Sequence, residues 1–299
     1  MPLVVPALFA RLVDDAAVFP PGNAPLPEAV TAHLVHRTAW YASLVGPLMV
    51  PASTVAAGEL DPLLTPDAFP TASPPPLAFG IVGDTGIAGA VAAASSLPSA
   101  TARLSQIEVA VAKRGEDPLP GLSELIAATA QWPDVDVYAE IPLTWGLLGA
   151  LDVVAQARAK GHRIAPKFRT GGLAAELFPT PMELAAVICA CRDRSLPFKL
   201  TAGLHRAIRH NDPETAFTHH GFLNVLAATM VAAAGAEVVE VAERLATTDP
   251  AFLIEIVRPS READRPLWIG FGSCSIPEPL GDLRQLGLLG ESVESKGSP

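Results

Sequence analysis

Two lysines stand in positions where lysines are seldom found. Lys167 lies inside the apolar run Ile164–Phe168 and Lys199 inside Phe198–Thr201, and both runs read as short buried strands. A lysine at a strand rim can snorkel to water, but one set between apolar neighbours is rarely buried without a partner. The chemistry open to it is nucleophilic. Burial and a second nearby cation lower an amine from its ordinary pKa of about 10.4, and the neutral amine attacks a carbonyl to form a Schiff base. Adjacent parallel strands lie about 4.8 Å apart, so both amines fit in one pocket. Carboxylates recur at comparable points: Glu108 within Gln106–Ala112 and Glu140 within Asp136–Ile141.

The loops after these strands are rich in groups that hold anions. Lys167 leads into Arg169-Thr170-Gly171-Gly172, Lys199 into Thr201, Gly203 and His205, and the last strand into Gly272-Ser273-Cys274-Ser275. A guanidinium clamps a carboxylate or phosphate, and glycine-rich loops expose backbone N–H groups. Residues 160–209 carry nine Lys/Arg against three acids, a local +6 in a chain of formal charge −10. An anionic substrate group is therefore expected between Arg169 and Ser273/Ser275. His220 and Asn224, four apart, share a helix face. They fit a substrate-contacting lid with an acid–base histidine, a polar helix cap, or a metal site with His205 and Asp15. No H-x-H or H-E-x-x-H pattern supports the last, and no metal or organic cofactor is expected. Asp14 and Asp15 read as a helix end followed by a turn.

Alternation of short strands with Ala/Leu-rich helical stretches must position these residues. Strands are expected at Ala17–Pro20, Pro47–Pro51, Leu77–Val82, Gln106–Ala112, Asp136–Ile141, Ile164–Phe168, Phe198–Thr201 and Leu267–Phe271. Helices fall between them near 27–43, 54–64, 87–97, 120–131, 146–160 and 180–194, twice in 213–247, and at 278–288. Eight strands in βα alternation predict an α/β fold, a single (β/α)8 TIM-type barrel over residues 1–290. The competitor, an open doubly wound sheet, lacks its G-x-G-x-x-G fingerprint. Residues 202–266 are too long for one βα unit and predict a helical insertion between the last two strands. Proline-rich Thr65–Pro76 reads as an extended connector, and 291–299 as a flexible tail.

Composition narrows the partners. With 299 residues, 49% hydrophobic and 17% charged, the chain has material for one large core and too little charge for a disordered protein or a coiled coil. A net −10 argues against nucleic acid. No signal peptide and no membrane span is expected. Three cysteines, Cys189, Cys191 and Cys274, cannot build a disulfide framework and fit a reduced, cytoplasmic setting. The expected partner is a small anionic carbonyl metabolite; self-association into a homo-oligomer stays open.

From Ser105 to Ser275 the chain resembles the class I deoxyribose-phosphate aldolases in motif order and spacing. Gln106-Ile107-Glu108-Val109-Ala110-Val111-Ala112 stands where that family has an acid-bearing "EIDMVIN"-like strand, and Glu140 matches the glutamate of its next strand. Pro166-Lys167-Phe168-Arg169-Thr170-Gly171 resembles the family's "VKTSTG" and Phe198-Lys199-Leu200-Thr201-Ala202-Gly203 its "VKASGG", while Gly272-Ser273-Cys274-Ser275 echoes a "GTSS"-like phosphate turn. The resemblance implies a barrel with Lys167 as Schiff-base nucleophile, Lys199 as its pKa-lowering neighbour and Glu108 in the proton relay. Departures are Glu108 for Asp, Arg169 for a small hydroxyl residue, Ala202 for Gly, and the 202–266 insertion. A class I lyase is thus the leading expectation. An isomerase, cyclase or hydrolase using Lys199, His205 and His220 without a covalent step is the alternative, and a non-catalytic binding protein comes third.

Overall fold

Parallel βα units repeated around a ring leave no free sheet edge, and the chain uses that solution. The computed structural model describes residues 3–64, 76–97 and 101–291. Eight parallel strands close a barrel: β1 Val13–Asp15, β2 Val45–Pro51, β3 Leu77–Val82, β4 Ala102–Ala110, β5 Asp136–Glu140, β6 Ile164–Arg169, β7 Phe198–Thr201 and β8 Trp268–Ser273, with β8 hydrogen-bonded to β1. The outer helices are α1 Leu26–Thr38, α2 Ala52–Ala56, α3 Gly86–Ser96, α4 Pro118–Ala128, α5 Leu147–Ala159, α6 Pro181–Asp193, α7 Phe222–Ala233, α8 Val238–Ala246, α9 Pro250–Val257 and α10 Pro277–Gln285. The expected TIM-type barrel is the observed fold. No helix among the described residues is long and apolar enough to cross a membrane. The tail after Glu291, and the Thr65–Pro76 connector except Pro76, lie outside the described residues.

One strand expectation is corrected. Ala17–Pro20 is not a strand; β1 is Val13–Asp15, four residues earlier. Asp14 and Asp15 therefore belong to the barrel wall and are buried, not a helix end or a turn. Alternation sends them to opposite faces. Asp15 faces outward and meets the equally buried His33 of α1 at 2.9 Å, whereas Asp14 faces the barrel interior.

Local chemistry fixes the helices around the site strands. Pro118 opens α4 behind Asp117, whose side chain accepts from the Leu119 N–H. Thr180 and Glu183 form a reciprocal capping box at α6. Between β7 and β8 the insertion carries a small hairpin, His210–Asn211 with Thr218–His219, and three helices where two were expected; α9 is the addition. α7 is buried almost all round, because β8 lies on one side, with Phe222 stacked on Phe271 at 5.8 Å, and α8 and α9 pack against it as well. A helix apolar on every face is what such a sandwiched position selects.

The pairing register sets the interior. Glu140 is level with Lys167, Lys167 with Lys199, and Glu108 with Tyr138. Where (β/α)8 interiors are dominated by bulky branched side chains, this one needs room for charged groups, and two glycines provide it. A Cβ on Gly46 would lie 1.8 Å from Asp14 Oδ1, and one on Gly80 would lie 2.3 Å from Met49 Sδ and 2.8 Å from Gln106 Cγ.

Gly46→Ala is accordingly expected to destabilise the protein by about 1–3 kcal/mol, the usual range for overpacking. Gly149→Ala, on α5 with no atom within 4 Å of the added Cβ, should be neutral or stabilising by up to about 1 kcal/mol. Urea denaturation of the two variants beside the parent checks this; coincident midpoints for Gly46→Ala and the parent would show that Asp14 is not confined as described.

Candidate active site

Inward-pointing positions on β1, β4, β5, β6 and β7 place six charged side chains in one continuous chain. Lys199 contacts both Asp14 and Glu108. The other oxygen of Glu108 lies 2.6 Å from Lys167 Nζ, and Lys167 reaches Glu140 at 2.9 Å. Arg169 closes the series, donating from Nε to Glu140 Oε1 at 3.1 Å, with Nη2 in ion-pair contact at 3.1 Å from the same oxygen. The order is Asp14, Lys199, Glu108, Lys167, Glu140, Arg169, with charge alternating at every step. Gln106 donates to Asp14 at 2.7 Å and to Glu108 at 3.2 Å, and Lys199 Nζ lies 4.8 Å from the centre of the Tyr138 ring. All but the two members nearest the mouth are almost fully buried: Lys199 is 1% exposed and Lys167 2%.

The electrostatics differ from the sequence expectation in sign. Burial alone would push the Lys167 amine down, but Glu108 and Glu140 outweigh it and hold its pKa above the ordinary lysine value. Lys199 is held up in the same way against burial by Asp14 and Glu108. Lys199 is thus not positioned to depress Lys167, because its charge is already spent on two carboxylates. Conversely, burial would raise Glu108, yet the two lysines bring it down to about 2. Glu140 is also lowered, by Lys167 and Arg169 against burial. At neutral pH these shifts keep Glu108 and Glu140 as carboxylates and Lys167 and Lys199 as ammoniums.

Two cavities approach this chain from opposite ends. At the C-terminal face a space of about 330 Å³ is lined by Glu140 and Arg169 together with Lys113, Arg114, Leu143 and Glu183. At the N-terminal face one of about 400 Å³ reaches Asp14, Gln106, Tyr138 and Lys199 from below. Active sites of this fold are built on the loops at the C-terminal face, and of these two cavities the upper one touches a partner of Lys167, Glu140.

Other expected site residues do different work. Thr170 donates through its hydroxyl to the Ala202 carbonyl at 2.6 Å. A Cβ on Gly171 would lie 2.8 Å from Gly203 Cα, and one on Gly203 2.9 Å from the Thr170 carbonyl, so these glycines let the β6 and β7 loops pack together. Gly172 is as tight against Leu177, at 2.4 Å. Ser273 and Ser275 bond one another, while Gly272 has only Ala16 Cβ near it and Thr201 is half-buried at the strand end. Arg169, expected to share an anionic substrate group with that turn, is bonded to Glu140.

His220 is buried, with Nε2 2.8 Å from the Pro179 carbonyl and Nδ1 facing Arg209, and burial takes its pKa down to about 4. Asn224 accepts from the Arg209 N–H and donates to the carbonyls of Arg244 and Thr247. The pair therefore clasps the insertion together and forms neither a lid nor a helix cap; Gly221 occupies the cap position. His205 stands apart beside Cys274 and Glu278. Among the described residues no three His, Cys, Asp or Glu side chains converge as a metal-ligand set. Asp14, the residue sequence reasoning missed, carried one usable signal: an acid between Val13 and a second acid, in a segment too short to show alternation.

No protein-family model and no curated protein matches the chain.

A carboxylate lowered in the folded state contributes stability that is complete above its unfolded pKa and lost as the pH falls through the folded one. For Glu108 that window runs from about 4.5 down to about 2, and Glu140 acts in the same direction. Stability is expected to drop across this window, and Glu108→Gln should flatten the drop. Denaturant unfolding at stepped pH measures it; an unchanged slope in the variant would show that Glu108 is not the buried charge between the two lysines.

Proposed function

We propose that the protein is a lyase of class I aldolase type, acting on a small anionic carbonyl substrate through an imine on Lys167. The observation that carries this reading is Lys167 itself: a buried primary amine gripped by two carboxylates, of which Glu140 lines the mouth cavity and can take its proton. The resemblance to deoxyribose-phosphate aldolases names the same lysine, with Lys199 and Glu108 in support.

The steps follow from the partners. A carbonyl compound entering from the mouth draws Arg169 off Glu140 and leaves Glu140 beside Lys167. Glu140 accepts the ammonium proton, the freed amine adds to the carbonyl carbon, and loss of water gives the protonated imine. Glu140, ionised again once its proton has left with the water, accepts the β-hydroxyl proton as the C–C bond breaks; the first carbonyl product leaves and the electron pair passes to the imine nitrogen as an enamine. Protonation of that enamine and hydrolysis return the second product and the free amine. Glu108 stays ionised between the developing iminium and Lys199, offsetting positive charge where it forms. The resting ion pairs mean that the amine is released only when substrate disturbs them, so a standing supply of neutral lysine is not required.

A second reading draws on the raised lysine pKa values: an ammonium at Lys167 and a carboxylate at Glu140 form an acid and a base side by side, enough for proton-transfer isomerisation without a covalent step.

Borohydride reduction separates the two. With an aliphatic aldehyde the protein is expected to gain a reduced adduct that peptide mass spectrometry maps to Lys167, that Lys167→Leu abolishes, and that Glu140→Gln slows by about 100-fold, the low end for a lost acid–base group. An adduct retained in Lys167→Leu moves the nucleophile elsewhere, and no adduct with any carbonyl tried favours the isomerase reading.

A further inference from the structure

The mouth cavity holds cations that the barrel chain does not use. Among the described residues neither Lys113 nor Arg114 has a carboxylate within ion-pair distance, although both line the space beside Arg169 and Glu140. Three acids also line it. Glu140 is bonded to Lys167 and Arg169. Glu183 accepts from the Thr180 N–H and hydroxyl at 2.7 and 2.8 Å. Glu176 is the remaining one. The three cations and three carboxylates of the lining balance in charge, but among the described residues no carboxylate touches the side chains of Lys113 or Arg114, whose donors stay open to a ligand. Arg169 adds direction, because both its contacts go to one oxygen of Glu140 and its side chain is 43% exposed.

The rest of the lining is apolar: Ala110, Ala112, Ile141, Pro142, Leu143, Leu177 and Pro179 share the cavity, with no hydroxyl side chain and no glycine among them. Phosphate sites characteristically offer backbone N–H nests or hydroxyls. The glycines that looked suited to that task, Gly171 and Gly203, are pressed against each other instead. A guanidinium fork meets a carboxylate as well as a phosphate, so the missing hydroxyls and N–H nests are what favour a carboxylate here.

We propose that this cavity binds the carboxylate of an oxo acid, held by Arg114, Lys113 and Arg169, with a short hydrocarbon segment lying along Ile141–Leu143 and Leu177 and the carbonyl directed down to Lys167. The inference rests on the imine reading for the carbonyl end alone; the carboxylate subsite stands on the cavity. A volume of about 330 Å³ is at the small end for ligand pockets and suits a compound of a few carbons. Engagement of Arg169 by the carboxylate also draws it off Glu140, the residue that roofs Lys167, so recognition of the acid end exposes the amine.

The test compares reductive trapping of 4-oxobutanoate, butanal and glyceraldehyde 3-phosphate, and separately measures butyrate binding by isothermal titration calorimetry. The expected result is that 4-oxobutanoate is trapped at least about 10-fold more efficiently than butanal, the scale of a charge-assisted hydrogen bond. It should also exceed the phosphate ester, and the ratio to butanal should collapse in Arg114→Ala and partly recover in Arg114→Lys. Preference for glyceraldehyde 3-phosphate, or equal trapping of 4-oxobutanoate and butanal, overturns the proposal. Should no carbonyl be trapped, the imine reading fails while calorimetry still decides the subsite: butyrate binding weakened about 10-fold in Arg114→Ala upholds it, and binding absent or indifferent to that variant overturns it.

Discussion

A buried charge is tolerated only with a partner, and inside this barrel six charged groups satisfy that condition by alternating. Removing any member from the middle of the chain leaves a neighbour uncompensated in a medium where that costs several kcal/mol. Much of the surrounding sequence follows from this requirement. Gly46 and Gly80 leave the volume that Asp14 and Gln106 occupy, Gln106 bonds Asp14 and Glu108, and the Tyr138 ring lies beside Lys199. Replacing such a network with well-packed hydrocarbon is often neutral or stabilising. Stability alone therefore gives little reason to keep it, which is why its position below the barrel mouth points toward chemistry.

The parts of this arrangement legible in the sequence are those whose signal is local. Lys167 and Lys199 stand out because each interrupts a short apolar run, and Glu108 and Glu140 because they do the same on the preceding strands. Strand alternation gave the barrel and its closure. Asp14 was hidden because β1 has only three residues, and the neighbouring Ala17-Val18-Phe19 is a more apolar run than the strand itself. Its meaning also depends on Lys199, 185 residues away. The direction of the lysine pKa values was illegible for a related reason: two adjacent cations suggest mutual repulsion, and the carboxylates that reverse it come from three other strands.

His220 and Asn224 show the opposite error. Helical spacing puts the two on one face, but α7 begins at Phe222 and His220 precedes its cap residue Gly221. They meet carbonyls of Pro179, Arg244 and Thr247, so residue types associated with catalysis serve to fasten the insertion. The insertion adds a second layer of helix outside α7, which explains why that helix lost its polar face.

One carboxylate, that of Glu108, gives an oxygen to each lysine. Any change in the proton inventory of one amine therefore alters the field at the other through a rigid, water-poor link a few ångströms long. Protonation of one group is thus felt by the others. Free energies measured for single substitutions at Lys167 and Lys199 will accordingly fail to add. The interior of this barrel is best treated thermodynamically as one component with several protonation microstates.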